Sequence, residues 1–557
     1  MAYGGRNTLT RRTVVQTIGA GGVLALAGCM GDENGETGDD DGSGEDPTVF
    51  IDALDSDPGT LDIHTAVRVP EMMCLSPVHE RLFTIDHDFE PVPQLATEYE
   101  SNDDNTEYTI AFEEGVEFHD GTDLTADVAK WNLERAHENS PNAWQFGSLD
   151  SIEETGDHEL TFHFDEPHPL FTFYLSNVHM GFASREAVED AGDEYGQETI
   201  VGSGPLELEE WARDEEIVYV RNDDYDRGPD FIRNQGPVNF EEYHVRIVPE
   251  PTTLLNEVTV GAADASLWVS PSDTGDVEDH DNTDITRVDD AHPHYLVLNV
   301  ETPPTDELEV REAIAYGVDR DAIITAAVND EAYPIYSISP HVAVGAMDEE
   351  TARDVGHEYD PDAARELLDD AGWENDGEGE TRERDGEPLE LSFFAFEMDP
   401  YSSVGEVVQD MLGQIGFDVN LEILESGLLY DRVEGLEHNL LTMALGSGHL
   451  AINTLESGFH SDNHNADEGG NNFSMWRNEE FDDRIDSAFI EPDDDEQEED
   501  LLRAQEIILE EVPAVPLLGY RKFYSHKNEI SAEGFLEHPW WGDVHRYHTH
   551  VLDVDRS

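Results

Sequence analysis

Residues 108–131 read YTIAFEEGVEFHDGTDLTADVAKW, from Tyr108 to Trp131. Two periods meet inside this stretch. Glu107 to Glu117 (EYTIAFEEGVE) alternates apolar and polar side chains and then turns, which predicts a β-hairpin. Thr125 to His137 (TADVAKWNLERAH) has helical spacing, opened by a threonine that suits an N-cap. A strand period giving way so quickly to a helix period favours a mixed α/β chain over a sandwich or a bundle.

The same alternation continues outward. Thr48 to Ile51 reads as a buried strand, and Glu159 to Asp165 (ELTFHFD) as a half-buried one. Pro361 to Ala371 is a helix with proline in its first turn and Gly372 closing it. Asp500 to Glu511 is another, stopped by Val512-Pro513. Glu374 to Pro388 and Pro492 to Asp500 are acidic insertions expected to form surface loops. A chain of 557 residues exceeds what one core needs, so two or three lobes are expected.

The formal charge is −100, from 129 acidic against 29 basic residues. Only three lysines occur, Lys130, Lys522 and Lys527. Disordered acidic chains lack apolar and aromatic residues, whereas this one keeps 38% hydrophobic residues and 9% aromatics, so most of it should fold. Such a surface suits molar salt, where the Debye length is about 3 Å and neighbouring carboxylates barely repel. In dilute buffer the same surface should destabilise the fold. No basic patch is visible, which argues against a nucleic-acid partner.

Thr10 to Cys29 reads TRRTVVQTIGAGGVLALAGC. The pair Arg11-Arg12 precedes an apolar stretch too short for a spanning helix, which needs about twenty residues. The twin arginine resembles a Tat export signal. Leu26-Ala27-Gly28-Cys29 resembles a lipobox, with Cys29 as the lipidated residue. Cys74 is then left without an intramolecular partner, so no disulfide is expected. Residues 1–28 are accordingly expected to be a signal, and residues 29–46 an acidic, glycine-rich tether holding the body off the membrane.

Several segments, in order, resemble the extracellular solute-binding proteins of ABC importers, family 5, the peptide and nickel class. Tyr108–Trp131 carries that family's Phe-His-Asp-Gly turn and Thr-Ala-x-Asp-Val helix start. Leu82–Thr97, the Gly-x-Gly-Pro run within Val201–Tyr225, Tyr295–Asn299, Val310–Arg320, Tyr359–Trp373 and Val512–Leu518 also resemble it. The resemblance implies an α/β, periplasmic-binding-protein-like type II fold, with two main lobes, a hinge cleft and an inserted extra lobe. The implied division is lobe I at 47–85, 191–298 and 512–557, lobe II at 86–190, and lobe III at 299–511. It implies a monomeric, non-enzymatic receptor without cofactor. That receptor captures a peptide or similar small solute outside the cell membrane and delivers it to an ABC permease.

The cleft residues implied by the resemblance are Arg68 and Val69, Trp268, Tyr295, the run Gly446-Ser447-Gly448-His449, and Trp476. Arg68 offers a rigid fork of donors to a carboxylate. Gly446 and Gly448 allow a ligand close to the backbone. Peptide-binding relatives hold the α-ammonium with an aspartate about where His449 stands, so free-amine recognition of that kind is not expected here. Both tryptophans read equally well as core residues. The 24 histidines raise the alternative of a nickel or metal-chelate receptor, with groups at His292/His294, His460/His464 and His548/His550. None has the spacing of a structural zinc site. A surface hydrolase lacks support, because no Gly-x-Ser-x-Gly, phosphate loop or His-Glu-x-x-His is present.

Overall fold

The computed structural model describes residues 48–531, except 87–88, 268, 376, 378–379 and 446–449, together with residues 555–556. The expected signal, Arg11, Arg12, Cys29 and the tether therefore lie outside the described residues.

An eleven-stranded mixed sheet is the spine. Val49–Leu54 lies well inside it, parallel to Glu242–Ile247 on one side and to Ala265–Ser266 on the other. A parallel strand has both faces covered, which is why this segment is nearly all apolar. Phe50, Ile217, Tyr219 and Tyr243 form one core against it.

Two long strands, Thr283–Leu298 and Ala514–Lys527, carry the sheet into its other half. They pair from Thr283↔Lys527 to Asp289↔Arg521, and again from Pro293↔Gly519 to Val297↔Ala514. Between those runs the register shifts. Pro293 brings no N–H to the ladder there. His292 N–H instead donates to Asp290 Oδ1 at 3.1 Å. Gly519 is required opposite the break, since a Cβ would stand 2.2 Å from the Tyr333 ring. Beyond the break the sheet continues through Leu440–Met443, Glu390–Phe396 and Asp418–Leu424, over a second core that includes Leu296, Phe393, Leu412 and Leu517.

A separate four-stranded antiparallel sheet holds the strand of the Tyr108–Trp131 segment. Here one expectation is corrected. Glu107–Phe112 lies between Ala96–Ser101 and Glu159–Phe164, so its hairpin is made with the strand before it and not with the residues that follow, as the reading of Glu107 to Glu117 expected. Alternation marks a half-buried strand but does not say which strand pairs with it. The following turn is closed by the bridge Glu117↔Asp123. Helix Ala126–Asn139 starts as expected, with Thr125 Oγ1 accepting from Val128 N–H at 3.4 Å.

The Phe-His-Asp-Gly turn docks on the Gly-x-Gly-Pro run. His119 N–H donates to Gly202 O at 2.9 Å, and His119 Nε2 lies 3.0 Å from Gly204 O. A Cβ on Gly202 would meet Val78 O at 1.9 Å. The two motifs, distant in sequence, are thus one contact.

A second correction concerns the acidic insertion Pro492–Asp500. Its residues from Asp494 are helical, within Asp494–Glu511, and Asp493 caps them by accepting from Glu496 N–H at 3.2 Å. Acids in a first helical turn are favourable against the helix dipole, so composition there marks a helix start rather than a loop. Glu374–Pro388 contains the small ladder Glu383–Arg384 with Glu387–Pro388.

Candidate functional site

A cavity of about 410 Å3 opens where the two halves of the large sheet meet. Three parallel strands end at it. Asp55 follows Val49–Leu54, Val248 follows Glu242–Ile247, and Leu267 and Val269 follow Ala265–Ser266. Open α/β sheets bind ligands beyond the carboxyl ends of their strands, where chain crossovers leave a crevice. Tyr520, Arg521, Lys522 and Phe523 of the crossover strand form another wall. Val69 closes the cavity from the first turn of helix Val69–Leu75, and Pro400 from the start of helix Tyr401–Gln414.

The walls are mostly aliphatic or aromatic, with charge at a few points. Asp55 Oδ1 accepts from Ser56 Oγ at 2.9 Å. Arg521 Nε donates to Asp289 Oδ1 at 2.9 Å. Lys522 Nζ lies 3.7 Å from Asp290 Oδ2, with the lysine side chain 27% exposed and the aspartate 1%. Burial pushes the Lys522 ammonium below its ordinary pKa, while Asp290 pulls it back up. A size of this order, apolar with a few placed charges, is what a small-solute pocket requires.

From Tyr520 a run of rings leads along the second half of the molecule. His294 Nδ1 is 2.6 Å from the Tyr520 hydroxyl, and its ring is 5.0 Å from Tyr401. Phe396 follows at 5.1 Å from Tyr401, then Tyr430 at 5.7 Å from Phe396. Tyr430 is 46% exposed, so the run ends in solvent. Burial pushes the His294 imidazole down to about 3, which keeps it neutral.

Of the residues singled out in the sequence, the structure brings Val69 into the cavity together with Leu267 and Val269, the neighbours of Trp268. Arg68 stands one residue outside, half-exposed, its Nη2 3.4 Å from Ser56 Oγ and Nη1 3.9 Å from Glu71 Oε1. Tyr295 is 2% exposed, packed on Phe459 and paired with Met443. Trp476 is 3% exposed and its indole N–H donates to Glu511 Oε2 at 2.7 Å. Those two belong to one core and do not line the cavity. Trp268, Gly446, Ser447, Gly448 and His449 lie outside the described residues.

Sequence reasoning missed Asp55, Pro400 and the wall Tyr520–Phe523. One signal is present: in a chain with three lysines, the position of each is informative, and Lys522 is one of them. Among the described residues no group of three or more His, Cys, Asp or Glu is arranged to hold a metal ion.

Solved structures share this architecture. The chain matches the ABC transporter substrate-binding protein CtaP from Listeria monocytogenes with a TM-score of 0.76 at 19% identity, over 92% of this chain and 100% of that one. The fold is therefore the α/β, periplasmic-binding-protein-like type II fold that the sequence implied. The model of the bacterial extracellular solute-binding proteins, family 5, matches residues 90–465, and the chain belongs to that family, the solute-binding proteins of ABC importers. It is similar to the oligopeptide-binding protein OppA of Bacillus subtilis (strain 168), 24% identical over 530 residues, 89% of this chain and 92% of that protein. It is also similar to the glutathione-binding protein GsiB of Salmonella paratyphi A (strain ATCC 9150 / SARB42), 24% identical over 494 residues, 86% of this chain and 90% of that protein.

Proposed function

We propose that this chain captures a peptide or similar small solute in the crossover cavity and delivers it to an ABC permease, without chemical turnover. The observation that carries the reading is the position of the cavity. It lies at the ends of three parallel strands and against the one strand pair that joins the sheet's two halves, so filling it bears on both halves at once. The relatives named above bind an oligopeptide and glutathione, which supports a peptide-like cargo. The lobes are proposed to divide as the resemblance implies, with the register shift between Asp289 and Pro293 as the place where the crossover bends.

The receptor is proposed to act as a monomer at the outer face of the cell membrane. The twin Arg11-Arg12 and the Leu26-Ala27-Gly28-Cys29 run support Tat export followed by lipidation of Cys29. Among the described residues no helix is long and apolar enough to cross a membrane. The charge of −100 supports a home in very high salt. The test is calorimetric titration of the whole chain in molar KCl with a mixture of di- to pentapeptides. Saturable heat with one site per chain is the expected result, and the absence of any saturable ligand rejects the reading. Desalting should unfold the protein, followed by circular dichroism; a fold indifferent to salt would reject the halophilic part.

A further inference from the structure

The short helix Phe171–Leu175 serves two cores at once. Phe171 and Leu175 pack with Leu133 and Phe162 in the core of the four-stranded sheet. Tyr174, on the same helix and 3% exposed, belongs instead to the core that holds Tyr295, Leu455 and Trp476, and Leu170 and Phe173 pack against that core as well. The Tyr174 hydroxyl donates to Asn453 Oδ1 at 3.1 Å, where both groups are buried. Asn453 stands on helix Ala451–Phe459.

With the lobes divided as proposed above, that bond joins lobe II to lobe III. No stretch of chain connects these two directly, since lobe II leaves lobe I and returns to it, and lobe III starts at residue 299. The joint between lobes II and I is tight. Arg135 makes two parallel bonds to Asp62, Nη1 to Oδ1 at 2.8 Å and Nη2 to Oδ2 at 2.6 Å. Phe182 N–H donates to Glu80 O at 2.8 Å and Ser184 N–H to Val201 O at 3.0 Å. A bidentate pair flanked by backbone bonds fixes orientation. The contact with lobe III is looser: a cavity of about 520 Å3 remains between Leu170 and Phe173 on one side and Val344, Leu450 and Leu501 on the other. Interiors are close-packed, so surfaces that leave such a gap can part at small cost in lost packing.

Lobe II thus moves with lobe I, and a bend at the crossover changes its distance from lobe III. In the present arrangement Val69 of lobe I and Pro400 of lobe III face one cavity, so the Tyr174–Asn453 bond exists while that cavity is formed. We infer that helix Phe171–Leu175 is a latch. It holds the closed arrangement from a place outside the cavity lining, and solute affinity rises with the fraction of chains that it keeps closed. This rests on the proposed lobes and on the crossover cavity as the solute site.

The test needs no solute. Spin labels are placed on the whole chain in molar KCl at Glu138→Cys in lobe II and Glu366→Cys in lobe III, both exposed, with Cys29→Ser. Cys74 is buried and its thiol is pushed up to about 12, so it stays unlabelled. Pulsed electron spin resonance should find a short, closed distance in the empty protein. Tyr174→Phe keeps the ring and should lower the ratio of closed to open by about fivefold. Asn453→Ala should do the same, and the double variant no more than either alone, because both remove one bond. Tyr108→Phe loses a buried hydroxyl bond inside lobe II, to His168 O at 2.9 Å, and should leave the distances unchanged. A protein found only at the longer distance, a Tyr174→Phe distribution equal to the wild type's, or additive effects in the double variant overturns the inference. If Tyr174→Phe does not fold, Asn453→Ala decides. Failure here leaves the receptor reading standing, whereas a chain that closes through Tyr174 yet takes no solute in calorimetry loses the receptor reading and keeps the latch.

Discussion

Two cavities separate segments that are distant in sequence. The crossover cavity measures about 410 Å3, and a second, between Leu170 and Phe173 on one side and Val344, Leu450 and Leu501 on the other, about 520 Å3. The second is larger, but Glu90 and Glu498 are the charged residues of its lining, and no cation joins them among the described residues. In a chain so acidic, acids in a lining are the background, and they say little about a ligand. Arg521 and Lys522 in the lining of the smaller cavity are the departure from background. Size and scarcity of the residue type thus point to different cavities.

The largest expected effect breaks the crossover itself. Gly519→Val should cost about 3 kcal/mol or more of stability, because the new side chain meets the Tyr333 ring with nowhere to go. Denaturant unfolding in molar KCl would show it, and an unchanged midpoint would mean that the crossover strands are soft at this point.

Acid is the next lever, and it acts on the crossover cavity's side of the comparison. His294 is neutral in the fold, its pKa pushed from 6.5 to about 3 by burial. Unfolded, the same imidazole takes up a proton as pH falls below 6.5. The unfolded state therefore gains protons that the folded state refuses, and stability should fall as pH drops from about 6.5 toward 3. His64, His79 and His119 should add to the slope in the same direction, being held at about 3, 4 and 4. His294→Phe should flatten part of that slope; an identical profile would show that His294 is not buried as described.

The smallest effect belongs to the second cavity, where Glu498→Gln should leave affinity within about twofold. A larger loss there would move the solute toward that side.

The signature segment was legible because its signals are local: alternation along Glu107–Phe112 and a threonine cap before Ala126–Asn139. The hairpin was placed on the wrong side of the strand, because alternation along Glu107–Phe112 does not say whether the partner precedes or follows it: the partners start at Ala96 and Glu159. The helix at Asp494 was hidden by its own acidity, which resembles a loop in composition but suits a helix start in charge. The cavity could not be read directly, since it is assembled from Asp55, Val248, Leu267 and the Tyr520–Phe523 wall, which meet only when the sheet forms. Trp476 shows the converse: the sequence left cleft wall and core equally open, and the structure packs it in a core, its indole N–H donating to Glu511 Oε2.

The central claim is that solute sits in the crossover cavity and not in the larger one, and two bulky substitutions test it side by side. Val69→Trp fills the first from a partly exposed position, and Ala346→Trp fills the second in the same manner. Calorimetry of both folded variants with the same peptide mixture in molar KCl should show binding lost in Val69→Trp and kept in Ala346→Trp. Binding kept in the first variant and lost in the second would contradict the account.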